Sequence, residues 1–102
     1  METKRTPGPW HTGGHGNTII YAADGWAVAD VKVYHNRHNG YEETQANARL
    51  IAAAPELLEA CVAMIEWDER EKDHSVDFHA RMALCDAAFQ KARAAIAKAE
   101  GR

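Results

Sequence analysis

The sequence predicts an α+β fold in which a small antiparallel β-sheet, a hairpin or a three-stranded meander, is followed by an antiparallel helical hairpin. Apolar residues alternate with a period of two before about residue 42 and follow the helical period of 3.6 after it. A polar run at residues 68–75 separates two apolar helical stripes. The 102 residues correspond to one domain, with a flexible segment at 1–9, a β-meander at 10–34 and a helical part at 42–102.

The predicted β-hairpin is centred on Asp24-Gly25, a strong two-residue turn signal. Residues 17–22 are rich in β-branched and aromatic side chains, and residues 26–34 alternate between two faces. A third strand is expected around residues 10–12. In the predicted strand at residues 26–34, Val28 lies on one face, and small apolar side chains fill the other. We assign that second face to the core: Ala27, Ala29, Val31 and Val33.

The helical part begins near Glu42, because acidic side chains are favourable at the N-terminus of a helix. Pro55 indicates either a kink or the first turn of a second helix. Ser75 is expected to cap the last helix. Cys61 and Cys85 are expected to be reduced thiols that act as small core residues. Two apolar stripes predict the helical hairpin: Leu50, Ala54, Leu57, Cys61 and Met64, and Phe78, Met82, Cys85, Phe89, Ala92 and Ile96.

The net charge of −3 provides no overall basic field, so we expect no direct DNA binding. The charge is uneven along the chain: +1 over residues 1–41, −6 over 42–73 and +2 over 74–102. This pattern is typical of helices that attract each other, or of a subunit that self-associates through complementary faces. Solvated helix faces are the simpler interpretation. No secretory signal or membrane-spanning stretch is visible, so the cytoplasm is the expected compartment.

Residues suited to catalysis or metal binding are few. The histidine pairs at positions 11 and 15 and at 35 and 38 lie in glycine- and asparagine-rich loops, which do not fix ligand geometry, so no metal site is expected. Ser75 is the only serine, and no glycine-rich phosphate loop follows a strand. We therefore expect a protein that is not an enzyme and needs no cofactor.

Two kinds of polar residue are candidates for binding. Asn47 lies on an apolar helical stripe, so its amide either ties the loop at 35–41 to the helix or binds a ligand. Arginine offers a planar set of donors that matches phosphate groups. The arginines considered for anion binding are Arg37, Arg49, Arg81 and Arg93.

The segment 46–60, which contains NARLIAAAPELLEA, resembles a signature of small phage and prophage proteins, and so does the opening segment 6–11. The resemblance covers roughly residues 6–66. The layout is similar to that of the Thoeris anti-defence sponges of phages. That resemblance implies an N-terminal antiparallel sheet, C-terminal helices and a homo-oligomer, dimer or higher. It also implies sequestration, without degradation, of a nucleotide-derived immune signal, of cyclic ADP-ribose type or a cyclic oligonucleotide, in the infected bacterium.

For a sponge of this kind we expect the ligand near a subunit interface, where the loop at 35–41 meets the first helix. The arginines would bind phosphate, Tyr41, Trp10 or His38 would stack on a base, and Asn47 would pair with its edge. The alternatives are an inhibitor that blocks a host protein through its acidic helix, and a structural or accessory phage protein. The predicted ligand-binding residues are Arg37, His38, Tyr41, Asn47, Arg49 and Arg93.

Overall fold

The computed structural model describes residues 4–33 and 38–102. Three strands precede three helices, and a short 3₁₀ turn lies between the first two strands. This arrangement confirms the predicted α+β class. The elements are β1 (His11–Gly13), β2 (Ile19–Tyr21), β3 (Ala27–Asp30), α1 (Gly40–Ala52), α2 (Ala54–Glu71) and α3 (Phe78–Ala99).

The sheet is an antiparallel meander in the order β1-β2-β3, so the third strand expected near residues 10–12 is present. The turn between β2 and β3 forms at the predicted Asp24-Gly25. Gly25 has a φ of 92°, and the Trp26 amide donates a hydrogen bond of 3.1 Å to Asp24 Oδ1. A positive φ is accessible to glycine without steric cost, which explains the residue at this turn.

The predicted alternation along β3 is wrong at one point. Ile20 pairs with Ala29 but Tyr21 pairs with Ala27, so Val28 is an extra residue on its strand. A bulge of this kind reorients the side chains that follow it. Val28 consequently packs against the core together with Ala29 and Val31, while Ala27 is exposed.

Helix α1 packs on the sheet through small side chains. The core joins the fully buried Ile20 of β2 to Ala48 and Ala52 of α1. Thr44 is fully buried on the same side of the helix; its hydroxyl donates to the Gly40 carbonyl at 2.7 Å and lies 3.3 Å from the Lys32 carbonyl. This hydroxyl ties the helix to the chain that follows the sheet.

Asn47 does not have the buried structural role considered for it, because its side chain is exposed. The buried positions of α1 are spaced by four residues, and Asn47 is about 100° around the helix from Ala48. The helix also ends at Ala52, so the apolar stripe predicted to include Asn47 is divided between two helices.

Pro55 occupies the first turn of α2, so it lies at the start of a second helix and is not a kink within one helix. The N-terminal segment lies directly over it: a Cβ added at Gly8 would be 2.8 Å from Pro55 Cβ. The segment that precedes β1 is therefore held against the start of α2.

Asp77, not Ser75, caps α3. Its carboxylate accepts hydrogen bonds from the amides of His79 (3.0 Å) and Ala80 (3.3 Å). Ser75 instead donates to Asp73 Oδ1 from its hydroxyl (2.7 Å) and its amide (3.0 Å). These bonds, the side-chain one first, lower the pKa of Asp73. Stabilisation from this turn is thus present above the unfolded pKa and is lost as the pH falls through the lowered folded value.

Helices α2 and α3 form the predicted antiparallel hairpin, but alanines occupy their closest approach. Ala60, Ala88 and Ala95 are buried. On α3, the apolar stripe predicted to form this contact lies about 100° around the helix from the buried alanines, because Phe89 follows Ala88 and Ile96 follows Ala95. Small residues allow two helices to approach closely, which favours the alanine contact over the bulkier stripe.

Two ion pairs fix the register of the hairpin. Lys98 Nζ lies 2.7 Å from Glu56 Oε1 near the sheet, and Arg81 Nη1 lies 3.1 Å from Glu71 Oε1 near the connecting loop. Each pair joins the acidic helix α2 to the basic helix α3. The attraction between helices that the uneven charge predicts is therefore present within the chain.

The molecule is elongated. Its radius of gyration is 17.1 Å, against about 13 Å for a compact domain of this length. The sheet and α1 lie beside the C-terminal part of α3, where Lys98 Nζ donates to the Trp10 carbonyl at 2.7 Å. Further along, α2 and α3 extend as a two-helix arm towards their connecting loop.

Candidate functional site

A groove of about 530 Å³ lies between the N-terminal segment, α2 and α3. We call it the N-terminal groove. Residues 5–8 and Trp10 form one wall, α2 forms the floor, and Lys91 of α3 lies at the opposite side. Sites for small molecules typically occupy about 300–1,000 Å³. The groove is therefore large enough for a nucleotide.

The floor of the groove is apolar. Pro55, Leu58 and Val62 of α2 lie at helical spacing and contribute to it. Leu58 and Val62 are exposed although they are large apolar residues. A concave apolar surface flanked by a few polar groups is characteristic of binding sites for organic ligands.

Four charged side chains surround this floor: Arg5 and Lys91 are basic, and Glu59 and Glu66 are acidic. Within residues 4–33 and 38–102, none of the four forms an ion pair. They remain available to a ligand that carries both anionic groups and hydrogen-bond donors.

Trp10 is held firmly at the groove. Its ring packs against the core beside Ile20, and its carbonyl accepts the hydrogen bond from Lys98. Its indole Nε1 is buried, and no described residue accepts a hydrogen bond from it. A buried donor without a partner costs about 1–3 kcal/mol. A rigidly placed aromatic ring is a favourable feature for stacking.

A smaller concavity has a volume of about 230 Å³, and we call it the Arg49 pocket. His11, Thr12, Arg49 and Lys98 line it together with Ala52. The Nε of Arg49 is buried and has no hydrogen-bond partner among the described residues. Lys98 already pairs with Glu56, so Arg49 is the cation of this pocket that lacks an ion pair within the described chain.

Within the described residues, the predicted ligand-binding residues do not lie together in one site. Asn47 and Arg49 are two positions apart on α1, so their side chains point about 160° apart around the helix. Arg93 is exposed on α3, where its guanidinium lies 5.9 Å from the ring centre of Phe89. His38 is exposed just before α1, and Arg37 lies outside the described residues.

Tyr41 and Arg81, two other residues considered for binding, lie close to other parts of the chain. The Tyr41 ring lies 3.5 Å from where a Cβ of Gly16 would stand, next to the 3₁₀ turn. Arg81, considered for anion binding, pairs with Glu71 and also lies 5.8 Å from the ring centre of Phe78. Trp10 is the predicted stacking residue that lines the larger groove.

Arg5 and Lys91 were not predicted as site residues. The proline- and glycine-rich segment before Trp10 was a usable signal, since such a segment adopts an extended path over a neighbouring surface. Lys91 gave no signal of its own. Its position at the groove depends on a contact between the N-terminal segment and α2 that is distant in sequence.

In the part of the chain that the structure describes, no three or more histidine, cysteine, aspartate or glutamate side chains converge as metal ligands. His11 stacks on Tyr21, with ring centres 5.7 Å apart. His35 lies outside the described residues. Across residues 4–33 and 38–102, no helix has the length and apolar character needed to cross a membrane.

Arg49 gives a stability prediction. Arg49→Met removes the buried Nε without a partner and keeps an apolar stem, so we expect the free energy of unfolding to rise by roughly 1 kcal/mol. Thermal denaturation followed by circular dichroism measures this change. Arg93→Met, at an exposed position, is the matched control and should change stability by less than about 0.5 kcal/mol. A lower melting temperature for Arg49→Met alone would mean that the guanidinium stabilises the fold.

Comparison with known proteins indicates a phage origin. A search of the curated proteins and a search of the solved structures each returned no match. A family model described as Salmonella phage P22 protein Y8K6 matches residues 1–102, the whole length of the chain. The chain therefore belongs to the Salmonella phage P22 protein Y8K6 family and is a small phage protein.

Proposed function

We propose that this phage protein is an anti-defence sponge that binds a nucleotide-derived immune signal in the N-terminal groove and sequesters it without degrading it. The ligand class is a cyclic ADP-ribose-type molecule or a cyclic oligonucleotide in the cytoplasm of the infected bacterium. The observation that supports this most is the combination of Trp10, Arg5 and Lys91 around one groove of about 530 Å³.

The groove offers complementary groups for each part of such a ligand. A base would stack on the Trp10 ring or lie on the apolar floor. The phosphates would accept hydrogen bonds from Arg5 and Lys91. Glu59 and Glu66 would accept hydrogen bonds from ribose hydroxyls or from an exocyclic amine. In this proposal the two carboxylates bind hydrogen-bond donors of the ligand, while the two cations bind its phosphates.

Sequestration requires affinity and no covalent chemistry. The groups around the groove are two cations, two carboxylates, the Thr6 hydroxyl, an indole and apolar side chains. Serine, cysteine and histidine are not among its lining residues, and this proposal assigns the carboxylates, the lysine and the hydroxyl to binding. We therefore propose that the protein acts stoichiometrically and has no enzymatic activity.

A thermal-shift panel tests the proposal. Isomers of cyclic ADP-ribose, linear ADP-ribose and cyclic di- and trinucleotides are added separately to the protein. A ligand at 100 times its dissociation constant stabilises the folded state by about 2.7 kcal/mol. For a chain of this length, that energy corresponds to a melting temperature roughly 10–20 °C higher. No shift with any member of the panel would contradict the proposed ligand class.

A second candidate is an inhibitor that blocks a host protein through its acidic helix. The exposed Ile65 of α2, with acidic residues Glu66, Asp68 and Glu69 close to it, favours this function. An apolar anchor surrounded by charge is typical of a protein-binding surface. Charge reversal at Glu69 would then abolish capture of the host protein, whereas it would leave nucleotide binding in the groove unchanged.

A further inference from the structure

One side of the two-helix arm exposes a stripe of large apolar side chains at heptad-like spacing. Phe78, Met82, Phe89 and Ile96 of α3 are between 39% and 58% exposed. Four large apolar residues in a single line along 22 residues of helix are more than a solvated helix requires. This spacing is the one that packs helices side by side in bundles.

Helix α2 continues the same surface. Ala60 and Trp67 lie on the side of α2 that faces α3. Leu57, Cys61 and Met64 lie next to that side around the helix, and helical geometry places them on the same side of the hairpin as the α3 stripe. The ring contact between Trp67 and Phe89, with centres 6.3 Å apart, joins the two helices there. We call this side of α2 and α3 the arm face; the N-terminal groove lies on the opposite side, where Lys91 and Glu66 are found.

The arm has little core of its own. The fully enclosed apolar side chains between its helices are the alanines at positions 60, 88 and 95. Most helical stability in proteins comes from packing an apolar face against other elements. A partner that covers the arm face would supply the large side chains of a core to this part of the molecule.

The size of the arm face suits a dimer. A helix of 22 residues is about 33 Å long, and two adjacent helices are about 20 Å wide. A face of these dimensions covers roughly 650 Å² on each protomer, or about 1,300 Å² in total, which is within the range of stable interfaces.

The charges of the helices select one arrangement of the two copies. Helix α2 carries six acidic and one basic side chain, for −5, and α3 carries four basic and one acidic, for +3. The two ion pairs within the chain use two of these charges on each helix and leave −3 on α2 and +1 on α3. A two-fold axis in the plane of the interface and perpendicular to the helices would place α2 against α2 of the other copy. That arrangement would bring like charges together. A two-fold axis along the helices places each acidic α2 against the basic α3 of the partner, which is favourable.

We propose that a second copy of this chain docks on the arm face, with the two-fold axis along the helices, and that the four helices form an antiparallel bundle. Neighbouring helices then alternate in direction and in charge. The groove of each protomer stays open on the outside of the bundle. The inference does not depend on the ligand, because it rests on the exposed stripe and the helix charges alone.

Size-exclusion chromatography with light scattering tests the face. The wild-type protein at about 20 μM should have twice the chain mass of 11.3 kDa. Met82→Glu combined with Phe89→Glu should raise the dimer dissociation constant about 100-fold or more, because each protomer buries two unpaired charges. Circular dichroism establishes that the variant is folded. Leu50→Glu, on α1 away from the arm, is the matched control and should remain dimeric.

A monomeric wild-type protein, or a folded Met82→Glu/Phe89→Glu protein that stays dimeric, would overturn the proposed face.

Cross-linking tests the proposed arrangement of the two copies. The ion pairs of Glu71 with Arg81 and Glu56 with Lys98 place position 68 level with Cys85 of its own chain. The proposed two-fold axis along the helices keeps this level, so it also places position 68 opposite Cys85 of the second copy. An Asp68→Cys variant should therefore form a disulfide-linked dimer through Cys85 of the second copy, and adding Cys85→Ala should abolish it. A dimer linked equally well without Cys85 would overturn the alternating arrangement.

Discussion

Ile20→Ala is expected to lower the free energy of unfolding by about 2–5 kcal/mol. Ile20 is fully buried on the central strand and is, among residues 4–33 and 38–102, the largest apolar side chain that is completely enclosed. It contacts Ala48 and Ala52, which are too small to fill the cavity that the substitution leaves. The melting temperature should fall by roughly 10–25 °C for a domain of this length.

Leu50→Ala is the matched control for this substitution, because it removes the same number of carbon atoms from a side chain that is 54% exposed. Its effect should be below about 1 kcal/mol. Differential scanning calorimetry of the two variants measures both. Equal destabilisation by the two substitutions would mean that the sheet and α1 do not share the core described here.

Replacing the groove cations is expected to have the largest effect on ligand affinity. Arg5→Ala and Lys91→Ala should each weaken binding about tenfold or more, since a hydrogen bond to a charged group contributes about 1.5–3 kcal/mol. The double variant should lose about 100-fold if the two contacts are independent. Neither cation has an ion pair in the described part of the chain, so the melting temperature without ligand should not change.

Lys72→Ala is the control for general electrostatic attraction. Its side chain is 75% exposed, pairs with Asp68 and lies near the connecting loop, away from the groove. Isothermal titration calorimetry at two salt concentrations compares the variants. A loss of affinity as large for Lys72→Ala as for Lys91→Ala would show that the ligand senses overall charge and not the groove.

Local signals in the sequence predicted the sheet well. The Asp24-Gly25 turn forms where predicted because the conformation that Gly25 needs is set by its own lack of a side chain. The orientation of Val28 was not predictable, since a bulge depends on how β3 pairs with β2. Pro55 had two structural interpretations, and the end of α1 at Ala52 decided between them.

The helical hairpin was predicted, but the faces in contact were not. Alanines and large apolar residues occupy neighbouring lines on α3, and helical periodicity fits both lines equally well. The close approach of two helices selects Ala88 and Ala95 and leaves Phe89 and Ile96 outside. Sequence patterns do not distinguish a stripe that packs within a chain from a stripe that packs between chains.

The candidate site was the least predictable feature. Helical periodicity places Asn47 on one continuous stripe, which the division into α1 and α2 breaks. Trp10 was considered for stacking, and the structure places it at the N-terminal groove. Lys91 becomes a groove residue only because the N-terminal segment crosses Pro55, and a contact so distant in sequence has no local signature.

Recovery of a bound ligand tests the central claim most directly. Protein is mixed with an excess of a cyclic ADP-ribose isomer or a cyclic oligonucleotide that gives a thermal shift, desalted to remove unbound ligand, and denatured. The supernatant is then analysed by liquid chromatography and mass spectrometry. The proposal predicts one intact ligand per groove for the wild-type protein and much less for Arg5→Ala/Lys91→Ala. A hydrolysed product, or equal retention by both proteins, would contradict sequestration in the N-terminal groove.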